Sequence, residues 1–303
     1  MDLTLWPLVS QPWTDLCEAV GQVERLNWRG VVVEDHFMAD GGGFGAVTDP
    51  RFEVTSVLAA LAVATTRLRL ASLVLSATYR HPAVVANWAA TIDHISGGRL
   101  TLGLGAGWQE NEHTQYGIQL EAPFERLQRL DEYCTIVRSL LNDPSTSFRG
   151  TYFQLHDAWC EPKPVQPHLP LLIGGKGDRM MKLVARHGDE WNMWALPERF
   201  AERSAVLDQA CDAIDRDPAS IRRSVQALVC VTDSSSKAQA FIEAAGGRAA
   251  FAGTANRFAE LVAQWQNVGV DDVIVPDWHL GTGARRAESL EAITHAVAEL
   301  TTT

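Results

Sequence analysis

The side chains best suited to moving a proton stand together at Glu34-Asp35-His36-Phe37, after the apolar run Gly30-Val31-Val32-Val33 and before the glycines 41–43. An imidazole titrates near pH 6.5, so His36 beside a carboxylate suits proton transfer or hydrogen bonding to a bound ring or substrate. In the plainer reading Asp35 caps a turn and His36 fills space. A second candidate is Gly103-Leu104-Gly105-Ala106-Gly107-Trp108. It fails as a dinucleotide-binding G-x-G-x-x-G, because tryptophan stands at the third glycine and the polar stretch Gln109-Glu110-Asn111-Glu112-His113 intervenes before any helix. Two explanations remain open: backbone thinned so that a flat ring can approach, with Trp108 as a wall, or a packing constraint inside a barrel.

A third candidate is Gly174-Gly175-Lys176-Gly177, directly before a helical pattern. Free N–H groups and the positive end of the helix dipole would cradle a phosphate there, with Lys176 adding a cation. Gly253-Thr254 is a rival, although Thr254 reads more simply as a helix cap. The Glu110, Glu112, His113 group lacks the spacing of metal ligands and reads as a solvated loop, so no metal site is expected. Asp93-His94 reads as surface or packing. Trp191 and Trp194, which flank Asn192-Met193, suit either an aromatic pocket or the core.

The elements that would position these residues alternate between short β-branched runs and helical patterns. Strand 3–8 precedes helix 14–26, and strand 30–34 precedes a helix carrying Val54, Val57, Leu58 and Leu61. Strand 68–75 leads to helix 82–96, opened by Pro82 and closed by Gly97. Strand 99–105 and helix 124–141 follow, then strand 170–174 with helix 178–187 and strand 188–194 with helix 198–214. Strand 225–231 is followed by helices 236–245 and 255–267, and strand 271–275 by helix 285–300.

Eight such units predict an α/β fold, a (β/α)8 TIM barrel forming one domain over residues 1–303. A doubly wound sheet would use only about five to seven strands. Insertions fall after the fourth strand, at 107–123, and before the fifth, at 144–169, where 148–153 resembles a small hairpin. All three glycine-bearing or acidic candidates lie just after strands, at the barrel end where chemistry is done.

Composition narrows the partners. The chain has 303 residues, 46% of them hydrophobic, and a net charge of −11, which would repel nucleic acid and anionic membranes. Five widely spaced cysteines without a C-x-x-C pair suit a reducing cytosol. Leu3-Thr4-Leu5-Trp6 reads as a strand rather than a signal peptide, and no apolar run approaches roughly 18 residues. The expectation is a soluble cytoplasmic protein.

The run Arg80-His81-Pro82-Ala83-Val84-Val85, followed by Asp93-His94-Ile95-Ser96-Gly97-Gly98-Arg99-Leu100-Thr101-Leu102-Gly103-Leu104-Gly105-Ala106-Gly107-Trp108, closely resembles the bacterial luciferase-like monooxygenases. Tyr116-Gly117-Ile118, Pro162-Lys163-Pro164-Val165-Gln166, Leu172-Ile173-Gly174-Gly175 and Gly188-Asp189-Glu190-Trp191-Asn192 match in family order. The resemblance covers roughly residues 1–195 well. Val33-Glu34-Asp35-His36-Phe37 is most similar to the branch using coenzyme F420, a deazaflavin.

That resemblance implies a barrel oxidoreductase passing a hydride between the deazaflavin and an organic small molecule. Asp35 and His36 would lie beside the ring as catalytic and cofactor-binding residues. Gly107 and Trp108 would touch ring or side chain, and Gly174, Gly175, Lys176 and Gly177 would hold phosphate. A non-prolyl cis peptide is implied at Ser72-Leu73, behind the ring. Relatives that oxidise sugar phosphates carry glutamate where Trp108 stands, so such substrates are not expected.

The alternative within the family is an FMN-dependent monooxygenase fed by a reductase, and the family often forms homodimers. From other classes come a barrel lyase or isomerase acting through Asp35 and His36, and a non-catalytic binding protein. The loops 37–50, 107–123 and 276–285 would set the substrate, and their apolar and aromatic side chains suggest an organic molecule larger than a sugar.

Overall fold

The alternating segments close into a ring of eight parallel strands in a computed structural model that describes residues 1–300; residues 301–303 of the expected domain lie outside the described residues. In chain order, β1 (Asp2–Trp6), α1 (Trp13–Arg25), β2 (Gly30–Val33), α2 (Val54–Ala64), β3 (Arg69–Ser72), β4 (Leu75–Ser76), α3 (Pro82–Ser96) and β5 (Leu100–Gly105) form the first half. Next come α4 (Glu110–Tyr116), α5 (Pro123–Asn142), β6 (Thr146–Arg149), β7 (Gln154–Ala158), β8 (Leu171–Gly174), α6 (Asp178–His187), β9 (Glu190–Trp194) and α7 (Pro197–Asp212). The chain continues with β10 (Arg222–Gln226), β11 (Leu228–Val231), α8 (Ser235–Ala244), β12 (Ala250–Gly253), α9 (Ala255–Asn267), β13 (Asp272–Pro276) and α10 (Gly283–Leu300).

The barrel runs β3-β2-β1-β13-β10-β9-β8-β5, and β3 pairs again with β5 through Leu70 and Ala71 to close it. Alternation along the strands splits the core in two. Val31, Val33, Leu70, Ile173, Val273 and Val275 face the surrounding helices, whereas Val32, Ala71, Leu172 and Ile274 point inward with Trp6 and Leu73. Near the strands' N-terminal ends the interior turns polar. There Thr4 Oγ1 donates to Asp272 Oδ2 at 2.8 Å and Arg29 pairs with Glu190 at 3.2 Å.

Helix ends follow local chemistry. Pro82 opens α3, the His81 ring accepts from the Ala83 N–H, and Gly97 closes the helix at φ 66°, a left-handed cap conformation that costs glycine little. The side chain of Thr254 accepts from the Arg257 N–H, so Gly253-Thr254 is a helix cap, as its simpler reading expects. The hairpin of the second insertion is β6 with β7.

Four expectations are corrected. The strand expected at 68–75 breaks into β3 and β4, and the non-prolyl cis peptide lies at Leu73-Val74 rather than Ser72-Leu73. Ser72 still pairs with Val33 in the ladder and the Leu73 N–H still reaches Val33 O at 2.8 Å, so the chain leaves the ladder one bond later. The strand expected at 225–231 divides at Ala227. Its second part, β11, pairs with β12 in a small separate sheet. Finally, the polar stretch read as a solvated loop contains α4, with both Glu112 and His113 buried.

Among the described residues no helix is long and apolar enough to cross a membrane.

Candidate active site

A cavity of about 590 Å³ opens at the C-terminal ends of the barrel strands, within the size range of cofactor and ligand sites. Asp35, His36, Gly107, Trp108, Gly174, Gly175 and Lys176 all line it, which brings together positions far apart in sequence. Ser72 and Gly177 do not. Ser72 lies below the cavity wall, where its hydroxyl bonds both Gly103 N and Gly103 O at 2.9 Å. Gly177 is the exposed residue preceding α6.

The wall between β5 and β8 explains the glycine run. Between β3 and β4 the chain bulges into the barrel and presents Val74. A Cβ on Gly105 would stand 2.5 Å from Val74 Cγ2, one on Gly174 3.2 Å from Val74 Cγ1, and one on Gly103 only 1.9 Å from Ser72 O. These glycines make room for the bulge, which is the packing explanation of the two left open. Gly107 differs: its φ is +78° and an added Cβ would meet Ser76 Oγ at 2.6 Å.

His36 is held by a carboxylate that spacing alone did not reveal. Glu112 Oε1 lies 2.7 Å from His36 Nδ1, the Phe37 N–H donates to Glu112 Oε2 at 2.8 Å, and the Tyr79 hydroxyl donates to Oε1. The α4 region grips the same loop further on, because Gln109 and Asn111 amides donate to Met38 O and Ala39 O at 2.9 and 2.8 Å. Burial alone would favour a neutral imidazole, but the bond to Glu112 and the charges of Glu112, Glu34 and Asp35 outweigh it and raise the His36 pKa. Burial and the adjacent carboxylate push the Tyr79 phenol up, so it stays protonated and donates. With Nδ1 committed to Glu112, Nε2 is the ring atom left without a partner among the described residues.

The remaining carboxylates at the mouth are neutralised. Arg80 Nη1 bonds both oxygens of Asp35 at 2.9 and 2.8 Å, and the Ser76 N–H donates to Oδ2 at 2.9 Å. The same guanidinium reaches Glu53 at 2.7 Å. Glu34 pairs with Arg51, which also donates to Phe44 O at 2.7 Å. Asp35 therefore anchors the chain that follows β4. Arg80 begins a run quoted above for its resemblance, but the pairing itself had no local signal.

At the opposite side of the cavity Gly175 takes φ +144°, where an added Cβ would meet Met180 Cγ at 2.9 Å. No side chain caps the α6 N–H groups, and the space around Gly177 is open. Lys176 is exposed and has no ion pair or hydrogen bond among the described residues. An uncapped helix start beside an unpaired ammonium suits an anion.

The two tryptophans of β9 separate. Trp194 lines the cavity, whereas Trp191 stacks on Phe200 at 5.2 Å in the outer core and donates to Gly175 O at 2.8 Å. Their offset along β9 is odd, so the strand's alternation sends them to opposite faces, and Trp191 is fully buried. Asn192, quoted above in a family-matching run, and Phe44, in the loop 37–50, also line the cavity, as do Tyr79, Arg51 and Gln226, which had no signal in the sequence.

The luciferase-like monooxygenase family model matches residues 2–260. A pyrimidine monooxygenase, RutA, of Cronobacter sakazakii is 33% identical over 184 residues, 58% of this chain and 54% of the relative. An uncharacterized Mycobacterium tuberculosis protein is 36% identical over 135 residues, 44% of this chain and 47% of its own length. The matches thus span about half the length of these curated relatives. Among solved structures, an F420-dependent secondary alcohol dehydrogenase bound to an F420-acetone adduct superposes with a TM-score of 0.83 at 18% identity, covering 96% of this chain and 98% of that one. A riboflavin lyase with modified FMN and riboflavin gives 0.79 at 15% identity, covering 99% and 91%. Likeness at such identity speaks for the fold alone. With the barrel closed and the family model matching residues 2–260, the chain belongs to the luciferase-like monooxygenase family.

Proposed function

We propose that this enzyme passes a hydride between coenzyme F420 and an organic small molecule. The observation that carries the reading is one cavity with a proton-holding group at one side and an anion cradle at the other: His36, fixed through Nδ1 by Glu112, and the uncapped start of α6 with Lys176. That arrangement fits a flat ring with a phosphate-bearing tail. F420, when bound, supplies or accepts the hydride at a ring carbon.

The chain's own residues would do the rest. Gly174, Gly175, Lys176 and Gly177 hold the phosphate, and Val74 with the peptide at Leu73-Val74 backs the ring. His36 Nε2 gives a proton to a substrate oxygen or takes one from it. Glu112 keeps the ring oriented and stabilises its charged form. Asp35 is a positioning residue, because both its oxygens are engaged by Arg80 and Ser76 N. Trp108 covers the ring side from solvent.

The identity to a pyrimidine monooxygenase over more than half of the chain favours a second reading, an FMN-dependent monooxygenase supplied by a reductase. Titrating the protein separately with F420 and FMN, with fluorescence as the readout, distinguishes the two. The expected result is F420 binding that Lys176→Ala weakens by about tenfold, the scale of one lost charge-assisted hydrogen bond. Tight FMN binding with no affinity for F420 overturns the first reading in favour of the second.

A further inference from the structure

We propose that the molecule this site takes beside its cofactor is a neutral, flat aromatic compound. The word substrate here rests on the redox reading above; the binding preference rests on the geometry of the mouth.

The rings of His36, Trp108, Phe44, Trp6 and Trp194 line the cavity, and Trp278, packed behind them, joins Phe44 to Trp6 to make an arc. His36 and Trp108 lie 5.5 Å apart, Trp108 and Phe44 6.1 Å, Phe44 and Trp278 5.8 Å, and Trp278 reaches Trp6 at 4.8 Å. Trp194 closes the arc at 5.5 Å from Trp6. Every pair is tilted or edge-on, between 50° and 80°, so the arc offers faces and edges rather than a finished stack. A flat ring entering it gains edge-to-face contacts that a saturated ring of the same size does not.

Phe44 is not a loose loop residue. Arg248 covers its ring at 5.3 Å and its guanidinium reaches Gly43 O at 3.3 Å, while Arg51 holds Phe44 O from within. These contacts hold the Phe44 ring in place at the mouth.

Charge excludes the other classes. Glu34 is paired with Arg51, Asp35 with Arg80, and His36 with Glu112. Lys176 is the one charged group lining the cavity that lacks a partner among the described residues, and it sits at the anion cradle. An ionised substrate would lose its hydration with no free counter-charge to replace it. Uncharged polar groups, Asn192 and Gln226 with His36, remain for a hydroxyl or carbonyl oxygen.

The probe is 2-naphthol, compared by fluorescence or calorimetric titration with the anion 6-hydroxy-2-naphthoate, the cation 6-(aminomethyl)-2-naphthol, and saturated decahydro-2-naphthol. We expect 2-naphthol to bind at least about tenfold more tightly than each of the others. Phe44→Ala and Phe44→Leu should each weaken it about three- to tenfold, and Phe44→Tyr should preserve it. Melting curves establish that each variant is folded. Equal binding of the naphthoate, the amine or the saturated alcohol overturns the proposal, as does unchanged binding in Phe44→Leu. F420 and FMN titrations are run alongside: binding of a cofactor without discrimination among the probes sinks this inference and leaves the redox reading standing. The predicted probe pattern without affinity for either cofactor does the reverse.

Discussion

His36 Nδ1 and Glu112 Oε1 meet at 2.7 Å although 76 residues separate them, and Glu112 is fully shielded from solvent. The contact fixes which imidazole nitrogen is free, and it biases the ring toward its protonated form. It also ties α4 to the loop after β2, which Gln109 and Asn111 grip further on.

Replacing Glu112 by Gln should therefore lower the His36 pKa, since the opposing effect of burial remains when the carboxylate is gone. In the native protein the folded pKa lies above the unfolded value. The resulting stabilisation is full below about pH 6.5 and fades as pH rises through the folded pKa. NMR titration of the His36 ring reports the shift directly, and the pH profile of turnover should move in the acid direction with it. A His36 pKa unchanged in the variant would mean that the contact does not govern the ring.

Gly105→Ala should destabilise the barrel by about 1–3 kcal/mol, because the new methyl meets the stiff Val74 side chain at 2.5 Å. Adding Val74→Ala should relieve part of that cost. Urea unfolding of both single variants and the double variant measures the coupling, expected at about 0.5–3 kcal/mol. Strictly additive costs would show that the glycine is not there for the bulge.

Burial raises Asp272 at the closed end of the barrel to about 6, against the lowering pull of Arg29, Thr4 and Arg222. A carboxyl whose folded pKa lies above its unfolded one adds stability below the unfolded pKa, near 4, and loses it as pH rises through 6. Relative to Asp272→Asn, the native protein should thus lose on the order of 3 kcal/mol between pH 4 and pH 7. Thermal or urea melts of both across that range test this; parallel pH dependences would refute it.

Much of the fold was legible in the chain because its periodicities are strong. α3, α6 and α9 lie where Pro82 and Gly97, the stripe before Gly188, and Thr254 place them. The breaks at Leu73-Val74 and Ala227 were not legible, since an apolar run reads as one strand whether or not it changes its partner. Of the site, the residues just after strands were accessible to reasoning, because barrel geometry delivers strand ends to one mouth.

Glu112 shows where that reasoning stops. Locally it is one acid in a polar stretch, and spacing assigns a solvated loop to such a stretch. Only when α4 folds back against the loop after β2 does the carboxylate leave water, gain three donors and become the partner of His36. The aromatic arc arises the same way, from the loops after β2, β5 and β13 and the ends of β1 and β9. The order and periodicity of residues were enough to specify a (β/α)8 barrel and the strand ends that line its cavity. Which charges are neutralised, which imidazole nitrogen is free and which rings surround the mouth depend on contacts between residues far apart in sequence, and only barrel closure creates those.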